Sequence, residues 1–224
     1  LGDLLLVWSM EMFTGCGLPA DAVARATPLL DTMRTEVISG QFLDVFAQAE
    51  PIGAVDLMTL VPQVVEFKTS RYTVIRPLQL GAALAGGSDA ALVALGAYGS
   101  PLGRAFQFRD DVLGVFGEPE VTGKPAGDDL REGKRTVLVA HALELASDTA
   151  KERLAGLLGN AELDATDVAT AREIIVTSGA LAATEQRIAD DLNLALAALD
   201  DAPLRDEAVT ALRRLAELST SRSA

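Results

Sequence analysis

The run Ala105-Phe106-Gln107-Phe108-Arg109-Asp110-Asp111-Val112-Leu113-Gly114-Val115-Phe116 places two adjacent carboxylates inside an otherwise greasy segment. Its spacing suits a helix. Gln107 and Asp111 stand four residues apart and share one helix face, and Phe106 and Asp110 share the adjacent one. Acids in so apolar a setting need partners, because a buried carboxylate without one is costly. Arg109 is the nearest cation, so an ion pair with it is the plain reading. Coordination of a metal ion is the sharper one. Oxygen ligands on a rigid helix, with room for water, suit Mg²⁺, which keeps several waters and takes one or two carboxylates plus substrate phosphates.

The next stretch supplies opposite charge. Thr122-Gly123-Lys124-Pro125-Ala126-Gly127-Asp128-Asp129 reads as loop, within a longer loop spanning 117–134. Connections that long inside a compact domain are usually functional or disordered. Glycine lets backbone approach an anion closely, and proline lowers the entropy cost of ordering a loop. Lys124 lies in this loop, and Lys134 enters the helix expected after it. Lysines on a loop can close over phosphate oxygens, so carboxylates and lysines together suggest a diphosphate site.

Outward from there, helical patterns run almost end to end. Leu4, Leu5, Trp8 and Met12 recur at helical spacing with no cap before them. The chain is therefore expected to begin inside a larger protein. Asp21 is expected to cap a long helix over 22–48, bent or restarted at Pro28. Helices over 56–70 and 71–86 follow, with Pro62 bending or starting the first and Pro77 kinking the second. Ser88-Asp89 opens another, interrupted at Pro101 and resumed to Gly114. Residues 136–146 are helix again. Ile188, Leu192, Leu196 and Leu199 form one apolar stripe, and Leu204, Ala208, Leu212 and Leu215 a second. Strand signals are weak, so the fold class is all-α, with more helices than a four-helix bundle.

Bulk properties narrow the function. The chain has 224 residues, 49% of them hydrophobic but only 4% aromatic, so its core is built from Ala, Leu and Val. No apolar run reaches the ~20 residues of a membrane span. One cysteine, Cys16, cannot form an internal disulfide, which fits a reducing cytoplasm. Cys16 itself reads as a small core residue. A net charge of −13 argues against nucleic acid. It also opposes a bare diphosphate: a carboxylate about 4 Å from a phosphate oxygen costs ~1 kcal/mol in water and ~4 at an effective dielectric of 20. An acidic protein that grips an acidic ligand does so through metal.

Three further places carry possible chemistry. Lys68-Thr69 ends an apolar helix. Gln41 lies mid-helix after Gly40, with Asp44 near it on one face. His141, the only histidine, reads as a helix-packing residue. Two more acid pairs have structural readings: Asp190-Asp191 as a solvated face and Asp200-Asp201 as a helix start.

Taken in order, these segments resemble the trans-isoprenyl diphosphate synthases, the polyprenyl synthetase family that includes farnesyl and geranylgeranyl diphosphate synthases. Phe106-Gln107-Phe108-Arg109-Asp110-Asp111 is similar to the family's second aspartate-rich motif. Residues 122–134 are similar to its lid loop, and Gly40-Gln41-x-x-Asp44 and Lys68-Thr69-x-x-Tyr72 stand in family order. The resemblance runs from Leu1 to about His141. It implies one all-α isoprenoid-synthase domain over 1–224, a bundle of antiparallel helices around a cavity, without its N-terminal helices. It implies a cytoplasmic, homodimeric, Mg²⁺-dependent enzyme that condenses isopentenyl diphosphate with an allylic diphosphate.

Carried over residue by residue, the family roles give Asp110 and Asp111 as Mg²⁺ ligands and Asp129 as a holder of metal-bound water. Lys68, Lys124 and Lys134 would contact diphosphate. Thr69 and Gln107 would line the path of the cation. Gln41 would stand beside the metal-holding helix, and Phe106 near the isopentenyl tail. Two departures stand out. The family's third aspartate, four residues after the first, is Gly114 here, and the first aspartate-rich motif is expected upstream of Leu1. Rival readings are a terpene cyclase or head-to-head synthase on the same fold, or a non-catalytic helical subunit of a synthase.

Overall fold

A computed structural model describes residues 1–118, 123 and 127–221. Among these there is no strand, as an Ala/Leu/Val-rich chain predicts. The helices are α1 (Gly2–Thr14), α2 (Ala20–Ala49), α3 (Leu57–Val65), a π-helix, π1 (Glu66–Ile75), α4 (Arg76–Leu84), α5 (Asp89–Phe116) and the one-turn α6 (Asp128–Arg131). The series continues with α7 (Val137–Leu145), α8 (Asp148–Leu157), α9 (Ala165–Thr177), α10 (Ala180–Ala197) and α11 (Asp206–Thr220). None is long and apolar enough to cross a membrane.

Local chemistry sets several starts. The side chains of Asp56, Ser88, Thr136, Ser147 and Asp164 each accept a hydrogen bond from a backbone N–H in the first turn that follows. Such caps are each worth about 1 kcal/mol. Asp21 is not one of them. It lies inside α2 and pairs with Arg25 at 2.7 Å, and Pro19 holds the cap position. Asp200 also fails as a helix start, because it sits in a turn and meets Arg213 at 2.5 Å, while α11 begins at Asp206.

Pro28 starts no new helix, and Pro101 interrupts none: both lie inside unbroken helices. Each forfeits one backbone hydrogen bond, which the packing along a long helix outweighs. Ahead of Pro77 the chain widens instead of breaking. The Arg76 N–H reaches back five residues to Arg71 O, and α3, π1 and α4 follow one another without a gap. A proline ring presses on the carbonyl four residues before it, and looser π winding relieves that contact. Glycines let neighbours lie flush on π1. A Cβ on Gly40 of α2 would stand 2.5 Å from Lys68 N, and one on Gly103 of α5 would stand 2.3 Å from Ser70 Cα.

α5 is the central element, packed against π1 on one side and α10 on the other. One core cluster joins Val61 and Val65 of α3, Phe108 and Val112 of α5, Ala140 of α7 and Ile188 of α10. Burying side chains of this size contributes roughly 1.5–3 kcal/mol each. A second cluster gathers Val115, Leu130, Leu138 and Ile175, and a third Tyr98, Leu102, Leu199 and Leu212.

Charges are also buried, against the reading of Asp190-Asp191 as a solvated face. Asp190 is exposed, but Asp191 is 1% exposed. It accepts from Arg104 Nη2 at 2.6 Å and Nε at 3.1 Å, and from Arg187 at 3.3 Å. Glu36 is similarly enclosed and takes Arg71 at 2.5 Å and Arg76 at 2.7 Å. Burial alone would raise its pKa, but the two guanidiniums outweigh burial and hold it low. Two apolar expectations also change. Cys16 is exposed, and α1 buries no residue, so Leu4, Leu5, Trp8 and Met12 face outward.

Candidate active site

One pocket of about 250 Å³ collects side chains from five places in the chain. α2 sends Asp44. α3 and π1 send Val61, Val64, Val65, Lys68 and Thr69. α5 sends Gln107, Asp110 and Asp111. α6 sends Asp129, and the turn after it sends Lys134, Arg135 and Thr136. The π winding matters here, because Lys68 and Thr69 lie on it side by side and both reach the pocket.

A chain of hydrogen bonds crosses the pocket. Thr69 Oγ1 donates to Gln107 Oε1 at 2.7 Å, and Gln107 Nε2 donates to Asp111 Oδ1 at 2.9 Å. The second bond is the i, i+4 contact that their spacing predicts. Lys68 Nζ meets Asp44 Oδ2 at 2.5 Å. Lys134 Nζ pairs with Asp129 and also reaches Glu132 at 3.0 Å.

The two carboxylates of the opening motif have different surroundings. Asp110 is exposed at the pocket, whereas Asp111 is buried. Burial pushes the Asp111 carboxyl up to about 7; the Gln107 hydrogen bond opposes this, and Asp129 and Asp110 add to it. The ion pair with Arg109 does not form at either acid. Arg109 turns away to Glu185, with both contacts at 2.6 Å, and to Thr220 O at 3.1 Å. Lys134 is held protonated: burial works against the charge, but Asp129 and Glu132 raise its pKa.

Of the residues singled out from sequence, Lys68, Thr69, Gln107, Asp110, Asp111, Asp129 and Lys134 thus meet at one pocket. Gln41 does not. It is exposed, and the face of α2 turned inward carries Gly40 and Asp44 instead. Phe106 is half-buried and does not line this pocket. Lys134 precedes α7 instead of entering it. Lys124 lies outside the described residues. Asp44, Arg135 and Thr136 were missed as site residues. Asp44 had a signal, since it closes the Gly40-Gln41-x-x-Asp44 motif. His141 packs as expected, with Nδ1 3.0 Å from Thr184 Oγ1.

A polyprenyl synthetase family model matches residues 1–175. The chain belongs to the polyprenyl synthetase family. It is 36% identical to the geranylgeranyl diphosphate synthase of Mycobacterium tuberculosis over 96% of its own length and 60% of that protein's. It is 33% identical to the geranylfarnesyl diphosphate synthase of Aeropyrum pernix, covering 83% of this chain and 57% of that one. Among solved structures, the geranylgeranyl pyrophosphate synthase of Corynebacterium glutamicum, complexed with isoprenyl diphosphate and magnesium, superposes with a TM-score of 0.93. Identity there is 46%, over 99% of this chain and 62% of that one. This family member spans about three fifths of the length of these relatives.

Among the described residues, no group of three or more His, Cys, Asp or Glu is close enough to enclose an ion. Asp110 and Asp111 both line the pocket, and Mg²⁺ takes one or two carboxylates together with waters and substrate phosphates.

Proposed function

We propose that this chain forms the diphosphate-binding part of a trans-prenyltransferase that condenses isopentenyl diphosphate with an allylic diphosphate. One observation carries the reading. Two lysines and four carboxylates border a single pocket, although α2, π1, α5, α6 and the turn after α6 supply them separately.

Asp110 and Asp111 would hold Mg²⁺, which when bound shields the diphosphate and stabilises charge developing on it as it leaves. Lys68 and Lys134 bind phosphate oxygens as fixed point charges. They strengthen as negative charge accumulates on the leaving group, and that difference is what lowers the barrier. Lys124 belongs to the same reading on its sequence position. Asp129 keeps Lys134 charged and aimed at the pocket, and would hold metal-bound water. The Thr69 hydroxyl donates a hydrogen bond to the Gln107 carbonyl oxygen, which fixes the amide so that its NH₂ faces Asp111. The Gln107 carbonyl and Thr69 oxygen line the path of an allylic cation.

A homodimer and a cytoplasmic setting are part of the reading. The first is supported by apolar side chains left facing solvent on α1 and α2, among them Leu5, Trp8, Ile38 and Phe42. The second is supported by the single, unpaired Cys16.

The test uses the full-length protein with Mg²⁺, isopentenyl diphosphate and a short allylic diphosphate. A longer trans-allylic diphosphate is the expected product, and Asp110→Ala lowers turnover by orders of magnitude. Normal turnover in that variant refutes the metal role. A cyclic or head-to-head product refutes the condensation.

A further inference from the structure

Gly114 stands four residues after Asp110 on α5, so a side chain there would project on the same side of the helix. Gly114 has none, and the space is taken from elsewhere. A Cβ on Gly114 would lie 2.1 Å from Asp129 Oδ2, 2.6 Å from its Cγ and 3.3 Å from its Cβ. Asp129 cannot simply swing aside. It is 6% exposed, and its carboxylate is paired with Lys134. Both side chains line the pocket that Asp110 and Asp111 line. Any side chain at 114 therefore displaces the Asp129 carboxylate that pairs with Lys134.

We propose that Gly114 is a positioning residue: the bare Cα of α5 is the seat of the Asp129 carboxylate, so α6 delivers to the pocket the acid that position 114 does not. The seat has a second effect. By fixing Asp129 it also fixes Lys134, so a change on the far helix reaches a phosphate-binding cation. The inference rests on the diphosphate-binding reading above. It identifies the glycine as a working part of this site and not a defect in its acidic motif.

The test measures Mn²⁺ binding by electron paramagnetic resonance in the presence of inorganic pyrophosphate, together with KM and kcat, on the full-length protein. Gly114→Ala, Gly114→Asp and Asp129→Gly are each expected to weaken Mn²⁺ binding at least tenfold. The double variant Gly114→Asp with Asp129→Gly moves the carboxylate onto α5 and clears the seat. It is expected to recover most of the binding. The double variant Gly114→Ala with Asp129→Gly relieves the same crowding without a carboxylate. It is expected to regain thermal stability but not Mn²⁺ affinity, which a purely structural role would not produce. The proposal is overturned if Gly114→Ala and Gly114→Asp bind Mn²⁺ as the parent does while Asp110→Ala does not. It is equally overturned if both doubles behave alike. The underlying reading fails separately, through Asp110→Ala binding Mn²⁺ and pyrophosphate as the parent does.

Discussion

Replacing Asp111 by Asn should make the metal-free protein more stable, and more so as pH rises. The folded carboxyl titrates near 7 because it is buried, whereas an unfolded aspartate titrates near ~3.9. Between those values the folded state keeps a proton that the unfolded state has released. Stability then falls as pH rises, by about 1.4 kcal/mol per pH unit. Below pH ~4 both states are protonated and the penalty is absent; above pH ~7 both are ionised and it is constant at about 4 kcal/mol. Asn keeps the shape and can still meet Gln107 but never ionises. From pH 5 to pH 8 the Asn variant should therefore gain roughly 3 kcal/mol relative to the parent. Urea unfolding in chelator at both pH values measures this, and comparing two proteins at each pH cancels every other titrating group. Parallel pH profiles would refute the claim that burial of Asp111, which outweighs its hydrogen bond from Gln107, favours the neutral acid in the folded state.

Other perturbations probe the frame around the pocket. Gly40→Ala puts a methyl 2.5 Å from Lys68 N and 2.9 Å from Lys68 Cα; backbone cannot yield cheaply, so a loss of about 1–3 kcal/mol and a raised KM for the allylic diphosphate are expected from unfolding curves and steady-state kinetics. Arg104→Met removes the main partner of Asp191, which is 1% exposed, and leaves it Arg187 at 3.3 Å; weakening the compensation of a buried charge in this way should cost up to about 3 kcal/mol in a denaturant titration. Thr69→Val frees the Gln107 amide to rotate and should cut turnover about tenfold with stability changed by about 1 kcal/mol, read by kinetics and thermal melting.

Much of this architecture was legible in the chain. The all-α class followed from periodicity, and the Gln107–Asp111 contact followed from a four-residue spacing. Legibility failed where a tertiary partner decides. Asp190-Asp191 looked solvated because no neighbour in sequence could neutralise it, yet Arg104 reaches Asp191 from α5. An ion pair with Arg109 was the plain alternative to metal for Asp110-Asp111, but Glu185 of α10 claims that arginine. The interruption expected at Pro101 fails for a related reason. A single missing hydrogen bond is a local cost, and long packed helices such as α2 and α5 absorb it. The π winding of 66–75 had only Pro77 to announce it. Gln41 and Asp44 were quoted in one motif, but only the structure shows which of them faces inward.

The ion pairs at the pocket bear on why an acidic chain would bind an acidic ligand there. Four carboxylates and three cations line it, and both lysines are already engaged: Lys68 by Asp44, Lys134 by Asp129 and Glu132. A diphosphate that takes those lysines leaves the carboxylates without counter-charge, in a place where burial makes that expensive. A cation alone meets the opposite difficulty, since Lys68 and Lys134 repel it. Each ligand removes the obstacle to the other, so under the proposed function the two bind with positive coupling, and the coupling is the same in both directions. The negative charge of the chain is then no barrier to catalysis. Under the proposed function, the carboxylates paired with Lys68 and Lys134 would oppose a phosphate compound that arrives without metal.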